Sequence, residues 1–434
     1  MRRRLPAFLV LLLLLGNLVL GWRVQTLSAA ADDKDKEKES AYRNVELFTS
    51  VMEIIRKDYV DGSKLSYQDL TYSALKGMLG GLDPHSQFME PTGYEEMKQE
   101  TGGQFGGIGV VVGMKDGILT VISPMEDTPG FKAGLLPNDK IIRIEGKSTD
   151  RLPLGDAVKQ LRGVPGTKVT ITILRPSSRE VKDIPIIRAM IKVESVKDAR
   201  VMESKIGYVR IVQFNEPTAD EFEKALQKLE KDGLNGLVLD LRNNPGGLLD
   251  SAVDVAGKFL PKGDLVVFTE GRNPAVKQEY RVRSAKPHPD YPLVVLINEG
   301  SASGSEIVAG ALQDTRRAVI VGETSFGKGS VQSVIPVKGN CAIRLTTAKY
   351  YTPSRKVIHE HGITPDIAVP MSDEEWNQIL LQRSQAADPT KKDEPKPEEF
   401  LPDGSKKTPV RDVQLDRAVD LIKGINAFKD RVRL

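Results

Sequence analysis

Three observations predict an α/β fold, mixed α+β overall, with a mostly parallel sheet flanked by helices. Short apolar runs at 206–212, 236–241, 264–269, 293–297 and 318–321 fit strands buried on both faces. Helical spacing falls between them, at 218–231, after Gly247 through about Leu260, and at 306–313. Ahead of this core, residues 102–175 break into short strands and glycine turns, which reads as an inserted small β-rich module.

The 434 residues suffice for two to three domains, and 40% hydrophobic with 28% charged content is ordinary for a soluble globular chain. The formal net charge is +3. Arg2, Arg3, Arg4 and Arg23 supply four of the positives, and without them 58 basic residues face 59 acidic ones. No field favours nucleic acid. The single cysteine, Cys341, precludes an internal disulfide and reads as a packed residue.

Taken in order, Met1 to Ala31 is an export signal, with a basic start, an apolar run from Leu5 to Leu20 and the small-residue exit Ser28-Ala29-Ala30-Ala31. Leu5 to Val24 is also long enough for a membrane anchor, and the exit favours cleavage. Any membrane contact runs through this segment alone. Residues 32–40 are a charged linker, and 41–58 and 66–80 carry helical stripes. Asp83-Pro84-His85-Ser86 reads as a turn in which His85 caps or packs. In the β-rich module, strands are expected at 108–113, 118–122, 140–144 and 168–174, with a helix at 154–161. After the core, a hairpin is expected over 334–337 and 342–347. Residues 373–410 turn polar, as a linker or tail, and 411–424 recover helical spacing. That last helix fits docking on its own core and a dimer contact equally.

The chemistry gathers at one sheet edge. A strand at 293–297, the small-residue turn 298–305, a helix at 306–313 and a strand at 318–321 make a βαβ unit, whose strands are parallel. Ser303 therefore sits where a strand ends and a helix begins, and Lys328 lies just past the next strand. Gly246 and Gly247 follow the strand at 236–241 and can turn N–H groups toward a ligand. A hydroxyl, an amine and a donor pair on one rim suit acyl transfer. The histidines His85, His288, His359 and His361 stand at no strand end near Ser303, so the base falls to Lys328. A lysine serves only when neutral, and lowering its pKa from ~10.4 to ~7 means about 4 kcal/mol of destabilised charge. Lys328 should thus be enclosed, with Gln332 as a neutral partner for the amine. Fully extended, 328–332 would separate the two by roughly 13 Å, so the loop must bend. Glu306 is the other candidate partner, against an ordinary first-turn glutamate favoured by the helix dipole. Gly322–Gly329 approaches a phosphate loop, but Gly329 stands where that loop needs Ser or Thr. His359 and His361 lack a third ligand at fitting spacing, so no metal and no cofactor is expected.

These residues carry a resemblance. Ser301-Ala302-Ser303-Gly304-Ser305-Glu306-Ile307, with Lys328 and Gln332 behind it, resembles the carboxyl-terminal processing proteases, the tail-specific, PDZ-containing serine proteases of peptidase family S41. Leu241-Arg242-Asn243-Asn244-Pro245-Gly246-Gly247 and Leu82-Asp83-Pro84-His85-Ser86 are similar to two further motifs of that family, over residues 41 to 372. One departure is Gly304, where the family often has Ala. The resemblance implies a periplasmic or otherwise extracytoplasmic serine endopeptidase that works through an acyl-enzyme. Ser303, Lys328 and Gln332 would be catalytic, and Gly246 or Gly247 with Gly304 would hold the oxyanion. The core would be ClpP/crotonase-like and the inserted module a PDZ domain. Gly107-Ile108-Gly109-Val110 is similar to the PDZ loop that grips a peptide carboxylate, so substrates would be proteins or peptides with free C-termini. Asn138 stands where a turn glycine is usual and tolerates positive φ. The implied boundaries are 32–101 for the linker and helical region, 102–190 for the PDZ domain, 191–372 for the peptidase core and 373–434 for the linker and last helix. Dimerisation and an activating partner stay open. The alternative function is a PDZ adaptor on an inactive core.

Overall fold

The computed structural model describes residues 39–61, 65–115, 117–125, 127–136, 138–176, 178–273, 277–283, 287–386 and 411–432. The export segment lies outside them. Among the described residues no helix is long and apolar enough to cross a membrane. The chain divides into two units, one ending at Phe88 and one running from Met89.

The first unit holds helices over 39–58 and Tyr67–Gly80. Ser66 caps the second by accepting from the Asp69 N–H at 3.0 Å. In the Asp83 turn the carboxylate accepts from the N–H groups of His85 and Ser86, both at 2.8 Å, and from the Ser86 hydroxyl at 2.6 Å.

In the second unit the β-rich module is one antiparallel sheet. Its order is Val110–Lys115, Ile118–Pro124, Lys140–Ile144, Lys168–Arg175, Glu180–Ile187. Alternating Val169, Ile171 and Ile173 face a core with Ile108, Val121, Ile141 and helix residues Ala157 and Leu161. The chain enters through Gln104–Gly107 and leaves through Ala189–Lys192, and these two segments pair with each other. The Val110–Lys115 strand ends the sheet, so one of its edges is unpaired among the described residues.

The core sheet runs Val196–Met202, Ile206–Ile211, Gly236–Asp240, Leu293–Ile297, Val319–Gly322, Ile367–Ala368. Its first pairing is antiparallel and the other four are parallel. The apolar runs are continuous because both faces are covered. Leu237, Leu239, Leu293, Val295 and Ile297 face the helices Thr218–Lys231, Leu249–Ala256 and Gly304–Asp314. Val238, Val294 and Leu296 face the last helix, Val413–Val432, through Ala418 and Ile422. That helix therefore docks on its own sheet. Arg242 helps to hold it there, bonding Asp240 at 2.7 Å and Asp412 at 2.8 Å.

A third sheet joins the long hairpin Ser330–Val337 and Cys341–Tyr351 to Leu265–Gly271 and Lys277–Arg281, all antiparallel. Over the described residues the sheets are thus mainly antiparallel, which corrects the expectation of a mostly parallel sheet. Apolar runs report two-sided burial, not strand direction, and the parallel pairings are confined to one sheet. The stretch read as a polar linker also begins with a helix, Asp373–Ala386, whose apolar periodicity is weak.

Candidate active site

The turn between Ile297 and Gly304 holds a strained residue. Ser303 has φ 52° and ψ −109°, a backbone that side chains other than glycine avoid at a cost of about 1–3 kcal/mol. Such strain at a strand-to-helix turn presents a side chain outward. Neighbouring bonds enforce it. Asn243 and Asn298 bond reciprocally at 2.8 Å. The Ser301 hydroxyl donates to the Leu241 carbonyl and the Ser305 hydroxyl to the Asn244 carbonyl, both at 2.8 Å. Two of the three serines are therefore engaged with backbone and fully buried. Burial pushes the Tyr350 phenol pKa up to about 12, and the Ser303 side chain opposes that rise.

The glycine loop lies directly against this turn. A side chain on Gly246, at φ 96°, would come within 2.7 Å of both the Ser303 Cβ and the Gly304 nitrogen. One on Gly247 would strike the Phe214 carbonyl at 2.1 Å. Asn244, fully buried, ties the loop down by donating to the Ile211 carbonyl at 2.9 Å. Its side-chain oxygen accepts the Gly246 N–H at 2.9 Å. Gly246 is thus engaged, whereas no acceptor takes the N–H of Gly247 or Gly304 among the described residues.

The lysine loop reaches the turn through Glu306. This carboxylate is fully buried. One oxygen accepts from the Ser303 N–H at 2.7 Å and the Lys328 N–H at 2.9 Å. The other accepts from the Ser325 hydroxyl at 2.6 Å and the Gly327 N–H at 2.7 Å. Burial lifts its pKa and the four donors pull it back. Lys328 is half-buried, and burial first, then the nearby Arg344, holds its amine below the ordinary lysine value. No direct bond joins Lys328 Nζ to the Ser303 hydroxyl among the described residues; the Glu306 carboxylate joins the two residues by their backbone N–H groups. A cavity of about 750 Å³ opens behind the turn, lined by Asn243, Asn298, Gly300, Ser325 and Phe326. Ser303, Lys328 and Gly247 do not line it, so it is not where a scissile bond would sit.

Comparison with known proteins matches residues 205–369 to peptidase family S41 and residues 106–186 to the PDZ domain. A carboxy-terminal-processing protease of Bartonella bacilliformis is 46% identical over 336 residues, covering 76% of each chain. The carboxy-terminal processing protease CtpB of Bacillus subtilis is 38% identical over 347 residues, 79% of this chain and 71% of the relative. Among solved structures, a photosystem II D1 C-terminal processing protease is 28% identical with a TM-score of 0.45, covering 75% of this chain and 92% of that one. The chain belongs to peptidase family S41. It is a PDZ-containing carboxy-terminal-processing serine protease.

Two expectations about this S41 peptidase's site change. No bond joins Gln332 to Lys328 among the described residues: the Gln332 amide nitrogen donates to the Ser330 hydroxyl at 2.9 Å and reaches Thr346 at 3.5 Å. The anticipated bend exists as a bulge between Val331 and Gln332, but it turns the amide along the hairpin. Glu306 is more than a first-turn glutamate, because it bonds three residues of the lysine loop as well as the turn. Glu306→Gln should therefore cost about 2–6 kcal/mol, since an amide nitrogen would face at least two buried donors at about 1–3 kcal/mol each. Denaturant unfolding checks this, and an unchanged midpoint would deny Glu306 the stapling role.

Proposed function

We propose that this S41 peptidase cleaves by a Ser303/Lys328 mechanism. Ser303 attacks the scissile carbonyl, Lys328 takes its proton, and the N–H groups of Gly247 and Gly304 stabilise the oxyanion. Lys328 then protonates the leaving amine, and water releases the acyl-enzyme. The observation that carries this reading is the strained turn in which Ser303, alone of three serines, gives its hydroxyl proton to no backbone carbonyl among the described residues, stapled by Glu306 to the loop of a lysine with a lowered pKa. Gln332 is left a supporting place in the hairpin. The sheet beneath the site, with four parallel pairings, fits the ClpP/crotonase-like type.

Substrates are proteins or peptides. The Gly107–Val110 loop grips the terminal carboxylate, and the unpaired edge of Val110–Lys115 accepts the tail as an added strand. The basic-apolar start of the chain would export it, which places the work outside the cytoplasm. The test uses one disordered peptide with a free or an amidated C-terminus. Amidation should weaken binding about tenfold or more, by removing a charge-assisted acceptor. Cleavage of the free-acid peptide with equal affinity for both forms would remove the loop from recognition.

A further inference from the structure

Phe214 follows the strand Ile206–Ile211 and is fully buried in the helix-side core. It lies against Gly247 and Gly304, the two residues whose N–H groups have no acceptor among the described residues. Backbone fixes the first. Phe214 and Gly247 form a parallel bridge, in which the Phe214 N–H donates to the Gly246 carbonyl at 3.0 Å and the Leu248 N–H donates to the Phe214 carbonyl at 2.7 Å. Such a bridge bonds the residues on either side of Gly247, so the N–H of Gly247 itself points away from Phe214. The ring reaches the second. Its Cδ2 stands 3.0 Å from where a Cβ on Gly304 would sit, and the Ala252 Cβ completes that wall at 3.4 Å. A core phenylalanine could fill space anywhere along this sheet. Contact with both of these glycines is what packing alone does not require.

We propose that Phe214 is a positioning residue for the oxyanion site: its backbone aims the Gly247 N–H, and its ring is the stop that sets the Gly304 N–H beside it. This rests on the Ser303/Lys328 reading, in which those two groups hold the oxyanion. Both donors must stand about 2.7–3.1 Å from one developing oxygen, so their spacing matters to a few tenths of an ångström. The turn before Gly304 is strained at Ser303, and strained backbone persists only where its surroundings hold it. Phe214 carries no group that reacts. It acts through Gly247 and Gly304.

Phe214→Leu keeps an apolar side chain and withdraws the ring. In the full chain its kcat on a disordered free-acid peptide should fall about 10- to 50-fold, with KM within about twofold, as oxyanion donors are partly lost. A peptide aldehyde adds to Ser303 and sets its oxygen between the donors, so it should lose affinity by the same factor. The matching peptide alcohol cannot add, and its affinity should change less than about twofold. Gly304→Ala presses a methyl group onto the ring and should also lower kcat about tenfold, through a small displacement of the turn. In the double variant these losses should not multiply, because the smaller side chain at 214 leaves room for the methyl group. A kcat within twofold of wild type in Phe214→Leu, or losses that multiply in the double variant, overturns the proposal. Should Phe214→Leu fold poorly, Gly304→Ala alone decides: an equal loss for aldehyde and alcohol, or none for either, overturns it. Ser303→Ala is assayed alongside. Cleavage surviving there defeats the mechanism itself, separately from any role of Phe214.

Discussion

Ser303→Ala is expected to lower kcat/KM on a disordered peptide by about 100,000-fold, the scale of losing a nucleophile. The reason is the division of labour within one turn. The hydroxyls of Ser301 and Ser305 bond the Leu241 and Asn244 carbonyls, while that of Ser303 faces the site. Ser301→Ala or Ser305→Ala should therefore act on stability, by about 1–3 kcal/mol for a buried acceptor left unmade. Ser303 in those variants should still take up a fluorophosphonate. Steady-state cleavage and intact-mass measurement check the set. Substantial cleavage by Ser303→Ala would remove the nucleophile from the scheme.

Lys328→Met should lower kcat about 1,000-fold, the range of a lost general base, with little change in KM. Methionine keeps most of the buried volume while the amine goes. Lys328→Arg should not restore activity, because a guanidinium stays charged at any working pH. The loop itself should survive both changes, since Glu306 holds the Lys328 backbone N–H rather than its side chain. Steady-state kinetics with thermal unfolding decide this. A Lys328→Arg variant as active as wild type would exclude deprotonation at this position.

What the sequence made legible was local. The helices Leu154–Leu161 and Thr218–Lys231 follow apolar spacing, and both were expected over those residues. The turn at Ser303 follows from an apolar strand meeting small residues. What stayed hidden depends on chain segments meeting from a distance. Glu306 could be read as a partner for Lys328 or as an ordinary first-turn glutamate, but not as one carboxylate accepting from Ser325, Gly327 and Lys328. The parallel pairing of Leu293–Ile297 with Val319–Gly322 followed from the helix between them, whereas the antiparallel pairing of Leu265–Gly271 with Cys341–Tyr351 left no local sign. The strands Glu180–Ile187 and Lys277–Arg281 were missed because their exposed residues dilute the apolar signal. Of the two loop glycines, neither could be preferred before the Asn244 side chain was seen to engage Gly246.

The most direct test of a neutral lysine serving Ser303 is the pH dependence of Ser303 labelling by a fluorophosphonate. A base works deprotonated, and burial disfavours the Lys328 ammonium, so its neutral fraction grows at lower pH than usual. In the wild type the labelling rate should rise with pH through one ionisation below the ordinary lysine value of about 10.4. In Lys328→Met it should be slow, with that rise gone. A wild-type midpoint at the ordinary value, or the same rise persisting without the amine, would contradict it.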